Sequence, residues 1–206
     1  MNSGRVFDEP FVNVSNFLSV SRVLLLAPFT WLTFKYLDEP NDLFLTWLIV
    51  IAVLAALSDF LDGLLARLLQ QETIVGRYLD PICDKIVIIT AMTLLVIYFE
   101  FPVWIYIIYI LREVGGVWMG TFLYFKRNQQ GRPNLFGKIA VGFAGLMILW
   151  YYSVPNLRQS YPAGDWRLDP DISAWMFLII HIIGMIGYVR SYGKIILQSA
   201  KPGKDS

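Results

Sequence analysis

Six apolar windows, each close to the length that crosses a bilayer, set the limits on what this chain can fold into: 17–37, 43–69, 81–99, 102–125, 135–154 and 172–198. A helix needs about 20 residues, at about 1.5 Å each, to cross the hydrocarbon layer. An open strand there would leave backbone N–H and C=O groups unpaired, so the windows are read as helices. Polar breaks separate them: Glu39-Pro40-Asn41-Asp42, Glu72 to Pro81, Glu100-Phe101-Pro102, Lys126 to Asn134 and Pro155 to Asp171. The composition, 56% hydrophobic and 16% charged, lies outside the balance of soluble domains. With no low-complexity linker, residues 1–206 are expected to form a single domain, an all-α integral membrane protein built as a six-transmembrane-helix bundle. Val6 to Phe17, which mixes Phe and Val with Asp8, Glu9 and Pro10, reads as a short N-terminal interfacial helix.

Charge orients the bundle. With six spans, both termini and the second-to-third and fourth-to-fifth connections share one side. That side carries most of the basic residues, among them Arg67, Arg77, Lys126, Arg127, Arg132, Lys138 and Lys194, whereas the other has only Lys35, Arg158 and Arg167 among many acids. The basic side is expected to be cytoplasmic, with Met1 a retained cytoplasmic end in a bacterial-type inner membrane. A net charge of +1 gives no reason to expect nucleic acid as a partner. The single cysteine, Cys83, rules out an intrachain disulfide framework and reads as a small buried residue.

Four aspartates stand where such a chain can least tolerate charge. Asp59 and Asp62 are three apart near the end of the second window, and Asp80 and Asp84 are four apart at the start of the third. Those spacings put each pair on one helix face, and a short connection makes the two helices antiparallel neighbours. Carboxylates facing one another near lipid repel and cost several kcal/mol or more, so a cation belongs among them. An all-oxygen set suits a hard divalent ion, Mg²⁺, Mn²⁺ or Ca²⁺, and two such ions would neutralise four aspartates. A di-iron site needs Glu-x-x-His elements, and the only histidine, His181, has no acid near it. Two other readings of the aspartates are helix capping, with Asp80 before Pro81 in the form of an N-cap, and pairing with Arg67, Arg77 or Lys85. Gly63 and Ala66 leave room on the carboxylate face, and Arg67, Thr73 and Gly76 follow. Metal, arginine and close-approaching backbone are what a diphosphate requires.

The pattern Asp-x2-Asp-Gly-x2-Ala-Arg-x8-Gly-x3-Asp-x3-Asp, Asp59 to Asp84, resembles the signature of the CDP-alcohol phosphotransferase family at every defined position. That resemblance implies transfer of a phosphoalcohol from a CDP-linked donor to an acceptor hydroxyl, with release of CMP. It implies Asp59, Asp62, Asp80 and Asp84 as metal ligands for Mg²⁺ or Mn²⁺, two ions in all, with Asp84 also the catalytic base. Asn16, Gly63, Arg67 and Thr73 fall where the family binds the CDP moiety, and Gly76 where backbone packs near the nucleotide.

Asn13-Val14-Ser15-Asn16-Phe17-Leu18-Ser19-Val20-Ser21-Arg22 resembles the Asn-x-Pro-Asn-x-x-Thr-x-x-Arg opening of phosphatidylglycerophosphate synthases, with Ser15 for the proline and Ser19 for the threonine. Leu111-Arg112-Glu113 and Gly137-Lys138 are similar to that branch, but its Gly-Lys-x-Lys-Thr continues here as Ile139-Ala140-Val141. The branch implies CDP-diacylglycerol as donor and glycerol-3-phosphate as acceptor; inositol phosphate or another alcohol is the alternative. Arg112, Lys138 and Arg190, costly cations in or at the ends of apolar segments, fit an acceptor phosphate. The competing reading pairs Arg112 with Glu113 and sends Lys138 and Arg190 to lipid headgroups. A divalent-cation transporter is the rival from another class; it explains the aspartates but not Gly63, Ala66, Arg67 and Gly76. His181 reads as a contact between helices, Trp150, Tyr151, Tyr152 and Tyr161 as interfacial anchors, and Gly115, Gly116 and Gly120 as close packing within the chain or across a homodimer.

Overall fold

The computed structural model describes residues 14–68, 74–127 and 135–200. Among them are six α-helices, one 3-10 turn and no strand: α1 (Val14–Asp38), α2 (Asp42–Leu68), α3 (Ile74–Tyr98), α4 (Val103–Arg127), α5 (Leu135–Leu157), the turn at Trp166–Leu168 and α6 (Asp171–Ala200). Five of the six apolar windows agree with their helices to within three residues at each end. Windows one and three differ most at their starts: α1 begins at Val14, and α3 begins at Ile74, seven residues before the expected start. Asp80 and Pro81 therefore lie inside α3, and the N-cap expected at Asp80 is not formed. Pro81 lacks the N–H that would bond back to residue 77, a loss the helix absorbs near its first turns. Val14 to Phe17 continue into α1 rather than forming a separate segment; the rest of the expected interfacial helix lies outside the described residues.

Two helical stretches, Phe17–Asp38 and Ile139–Leu157, are long and apolar enough to cross a membrane among the described residues. Large apolar side chains also point outward in numbers uncommon on soluble proteins, including Leu24, Trp31, Leu111 and Trp118. The described helices pack through α1, which lies along both α2 and α3, and through α5, which lies along α6 and touches α2 and α3. Among the described residues α2 and α3 make no close backbone contact with each other; they face one another across a cavity. Residues of α1 and α5 line the same cavity.

The end of the bundle remote from the aspartates is knitted by polar bonds. Asn41 caps α2, its Oδ1 accepting from the Phe44 N–H at 2.9 Å. The Tyr36 hydroxyl on α1 donates to the Tyr152 carbonyl at 2.8 Å and lies 2.6 Å from Asn156 Oδ1, while Asn156 in turn donates to Asp42 on α2. Tyr151 bonds to Asp171 at the start of α6. Tyr151 and Tyr152 are buried, so they are core hydrogen-bonding residues rather than the expected headgroup anchors. Trp150 is half-buried, its indole N–H donates to the Arg167 carbonyl at 3.0 Å, and its ring meets the exposed Trp166. Tyr161 carries the Arg167 guanidinium on its ring face, 3.8 Å from the centroid. The Arg167 backbone N–H, and then its guanidinium, hold the Asp165 carboxyl below the usual carboxylate range. His181 is buried between α4 and α6 against Tyr109 and Phe177, as expected of a contact between helices. Cys83 is buried as well. Gly115 and Gly116 are exposed, and a Cβ added at either would meet nothing within 4 Å among the described residues; Gly120 is part of α4, and its surroundings lie outside the description.

Candidate active site

One turn of α1 joins the two helices that carry the aspartates. The Leu18 carbonyl accepts from Ser21 at 2.7 Å and from Ser58 on α2 at 3.2 Å. Four residues on, Arg22 forms an ion pair with Asp84 on α3. Ser58 immediately precedes Asp59, so this bond fixes the level at which the first aspartate pair leaves α2. Arg22 is 3% exposed and Asp84 33%, so the guanidinium is packed away while the carboxylate it holds is reachable. Counted at about 1.5 Å per residue, Arg22, Ser58 and Asp84 all lie about 12–15 Å from the same-side ends of their helices, which is why three separate segments meet here.

The backbones of Asp59 and Asp62 lie in α2 and those of Asp80 and Asp84 in α3, so both pairs keep the helical spacing that puts each on one face. The side chains of Asp59, Asp62 and Asp80 lie outside the described residues, as do those of Asn16, Arg67 and Lys138. Gly63 is part of α2, Gly76 belongs to the first turn of α3 rather than to a connection, and Thr73 lies outside the described residues. Four carboxylates on two facing helices, all hard oxygen donors, fit divalent ions in kind and in charge. Beyond Arg22 and Asp84 a cavity of about 170 Å³ runs into the bundle between α1, α2, α3 and α5, lined by Leu25, Phe29, Ala52, Ala55, Ala56, Val87, Ala91 and Gly145. The site is therefore amphipathic, with charge at the mouth and hydrocarbon behind it.

Arg112 pairs with Glu113, the competing reading of that residue, and Glu113 also takes Lys85 Nζ at 3.2 Å. Arg190 is exposed on α6. Sequence reasoning assigned no role to Arg22 or Ser58, although an arginine within SVSRVLLLAP was a visible signal, since a buried guanidinium in an apolar segment requires a partner.

A metal-suited, amphipathic cleft on an all-helical scaffold narrows the chemistry, and comparison with known proteins decides it. Residues 12–187 match the family model described as CDP-alcohol phosphatidyltransferase. The chain belongs to that family. Among its relatives, the CDP-diacylglycerol--glycerol-3-phosphate 3-phosphatidyltransferase of Aquifex aeolicus is 31% identical over 91% of this chain and 99% of its own length. The Bacillus subtilis protein of the same name is 28% identical over 73% of this chain and 79% of its own. A cardiolipin synthase (CMP-forming) of Streptomyces coelicolor is 30% identical over 87% of this chain and 76% of its own. The chain is therefore a membrane-associated phosphatidyltransferase enzyme of phospholipid biosynthesis rather than a cation transporter, in a family generally dependent on divalent cations.

Proposed function

We propose that this phosphatidyltransferase moves the phosphatidyl group of CDP-diacylglycerol to the hydroxyl of glycerol-3-phosphate, forming phosphatidylglycerophosphate and releasing CMP. The observation that carries the reading is Asp84, last of the signature aspartates, held by Arg22 at the mouth of an apolar cavity. A diacylglycerol tail can stay in hydrocarbon there while its phosphate meets the carboxylates. The acceptor is supported by the names of the Aquifex and Bacillus relatives.

In the proposed reaction the acceptor oxygen attacks the phosphorus distal to cytidine. The bond from that phosphorus to the bridging oxygen breaks, the electron pair leaves with CMP, and the acceptor proton passes to Asp84. Asp59, Asp62, Asp80 and Asp84 would hold two Mg²⁺ or Mn²⁺ ions, which when bound supply charge neutralisation on the diphosphate. Asn16, Gly63, Arg67, Thr73 and Gly76 receive the CDP moiety, and Arg112, Lys138 and Arg190 the acceptor phosphate. The proposed setting is a six-span bundle in a bacterial-type inner membrane, with both termini and the site cytoplasmic. Gly115 and Gly116, open on α4, leave a homodimer as the reading of that packing motif.

The test is CMP release by the purified protein from CDP-diacylglycerol with Mg²⁺ or Mn²⁺, adding glycerol-3-phosphate, inositol phosphate, inositol, serine and phosphatidylglycerol one at a time. Glycerol-3-phosphate is expected to be used best, chelation to abolish turnover, and Asp84→Asn to lower kcat about 10²–10⁴-fold, the range for a lost general base. Preference for another acceptor would overturn the acceptor, and no CMP with any of them would overturn the reaction.

A further inference from the structure

The cavity that begins at Arg22 and Asp84 is also open at its side. Its deep end is closed, because Phe29 of α1, Ala91 of α3 and Ile148 of α5 are buried there. Ala56 of α2 and Val141 and Gly145 of α5 line the same cavity and are all exposed, so it opens sideways between α2 and α5. These two helices are tied at the remote end, where Asn156 donates to Asp42. The side chains around the opening are apolar: Val53, Leu54 and Leu57 on α2 and Leu146 on α5 are exposed. The opening therefore connects the carboxylate to the hydrocarbon around the bundle.

The size of the cavity fixes how much of a lipid it can hold. From Asp84 to Ala91, as from Arg22 to Phe29, a helix rises about 10 Å. Bonds of about 1.5 Å in a zigzag advance roughly 1.25 Å per carbon, so about eight carbons reach the closed end. The volume agrees, since an apolar cavity of about 150 Å³ takes a six-carbon ring and this one has about 170 Å³. One leaflet's share of a hydrocarbon layer about 30 Å thick is about 15 Å, so a membrane lipid's chain is longer than the cavity. The remainder has to leave, and the opening between α2 and α5 leads it to lipid.

We propose that the carbons of one donor acyl chain nearest the glycerol lie in this cavity, and that the rest of the chain passes to the bilayer between Ala56 and Gly145. The α2–α5 portal then determines which donor chain lengths are used. This rests on the reading of the protein as a phosphatidyltransferase of CDP-diacylglycerol, and it adds Ala56, Val141 and Gly145 to that site. An octanoyl chain ends inside the cavity, whereas a palmitoyl chain must cross the portal. A Cβ added at Gly145 would meet nothing within 4 Å among the described residues, so a larger side chain can enter the portal there without a clash.

The experiment measures CMP release by full-length protein in mixed micelles with Mg²⁺ and the acceptor it uses best, and compares kcat/KM for dipalmitoyl and dioctanoyl CDP-diacylglycerol. Gly145→Leu is expected to lower the dipalmitoyl-to-dioctanoyl ratio at least ~10-fold, the equivalent of about two methylenes kept out of hydrocarbon. Leu146→Phe, on the neighbouring outward face, should leave the ratio at its wild-type value. A ratio unchanged by Gly145→Leu, or lowered equally by Leu146→Phe, overturns the portal. Should Gly145→Leu fail to fold, wild-type protein supplies a second readout. A dipalmitoyl donor carrying a mid-chain diazirine should, on irradiation, label the segments around Ala56 and Gly145, read by peptide mass spectrometry. Labelling confined to other segments overturns the portal even where CMP is released. Wild-type protein that releases no CMP from either donor with any acceptor overturns the underlying reaction and the portal with it.

Discussion

Arg22 reaches across from α1 to bind one oxygen of Asp84, and the asymmetry of that pair suits the role of base proposed for this carboxylate. A charge left alone there is costly to bury, whereas a guanidinium beside it offsets part of that cost. Arg22 is nearly inaccessible while a third of Asp84 is not, so the partner stays packed and the carboxylate stays reachable. Replacing Arg22 breaks the pair from its buried side. Arg22→Gln should lower kcat roughly 10–100-fold, corresponding to about 1.5–3 kcal/mol for a hydrogen bond between charged groups. Arg22→Lys should recover only part of this, because an ammonium keeps the charge but not the planar fork. Initial rates of CMP release at saturating donor measure both; equal rates for wild type and Arg22→Gln would show that Asp84 needs no holding.

At the level of elements, α1 is the strut on which the other helices are assembled. Its Leu18–Arg22 turn fixes α2 through Ser58 and α3 through Asp84, and its far end, through Tyr36, fixes α5 and through Asn156 reaches Asp42 of α2. Tyr36→Phe removes the hydroxyl from one buried and one partly buried bond and leaves the Tyr152 carbonyl and Asn156 to find other partners, at about 1–3 kcal/mol. A lower thermal midpoint in detergent with an unchanged donor KM is the expected result, since the lock lies at the end remote from Asp84; an unchanged midpoint would show that the lock contributes nothing. Much of this scaffold was legible in the sequence, because runs of apolar residues and polar breaks such as Glu39 to Asp42 leave membrane helices few choices. The spacing of Asp59, Asp62, Asp80 and Asp84 was legible for the same reason, being a local helical property. What was not legible depends on non-local packing. The burial of Tyr151 and Tyr152 and the pairing of Arg22 with a residue 62 positions away both follow from how helices meet. The start of α3 escaped a local reading because Pro81 has the form of a beginning, although a helix can carry a proline within it.

For the whole molecule, the decisive question is how many times the chain crosses the bilayer and which way it faces. Outward-pointing Leu24, Trp31, Leu111 and Trp118 require an apolar surrounding, and the pairs Trp150–Trp166 and Trp104–Trp175 lie at the end of the bundle opposite Asp84, where an aromatic belt is expected at a membrane surface. The excess of lysine and arginine belongs to the other end, which should therefore be cytoplasmic. The only cysteine, Cys83, is buried, so a Cys83→Ser background gives a silent chain for labelling. In that background Glu39→Cys, Val103→Cys and Trp166→Cys should react with a membrane-impermeant maleimide on intact cells, whereas Gln71→Cys and Arg127→Cys should react only after permeabilisation. Alternation of those five positions requires each helix from α2 to α5 to cross. The opposite pattern would invert the protein and place the aspartates outside, where a CMP-releasing reaction would have no access to cytoplasmic nucleotide. Two successive positions labelling from the same side would remove the span between them and with it the six-span bundle.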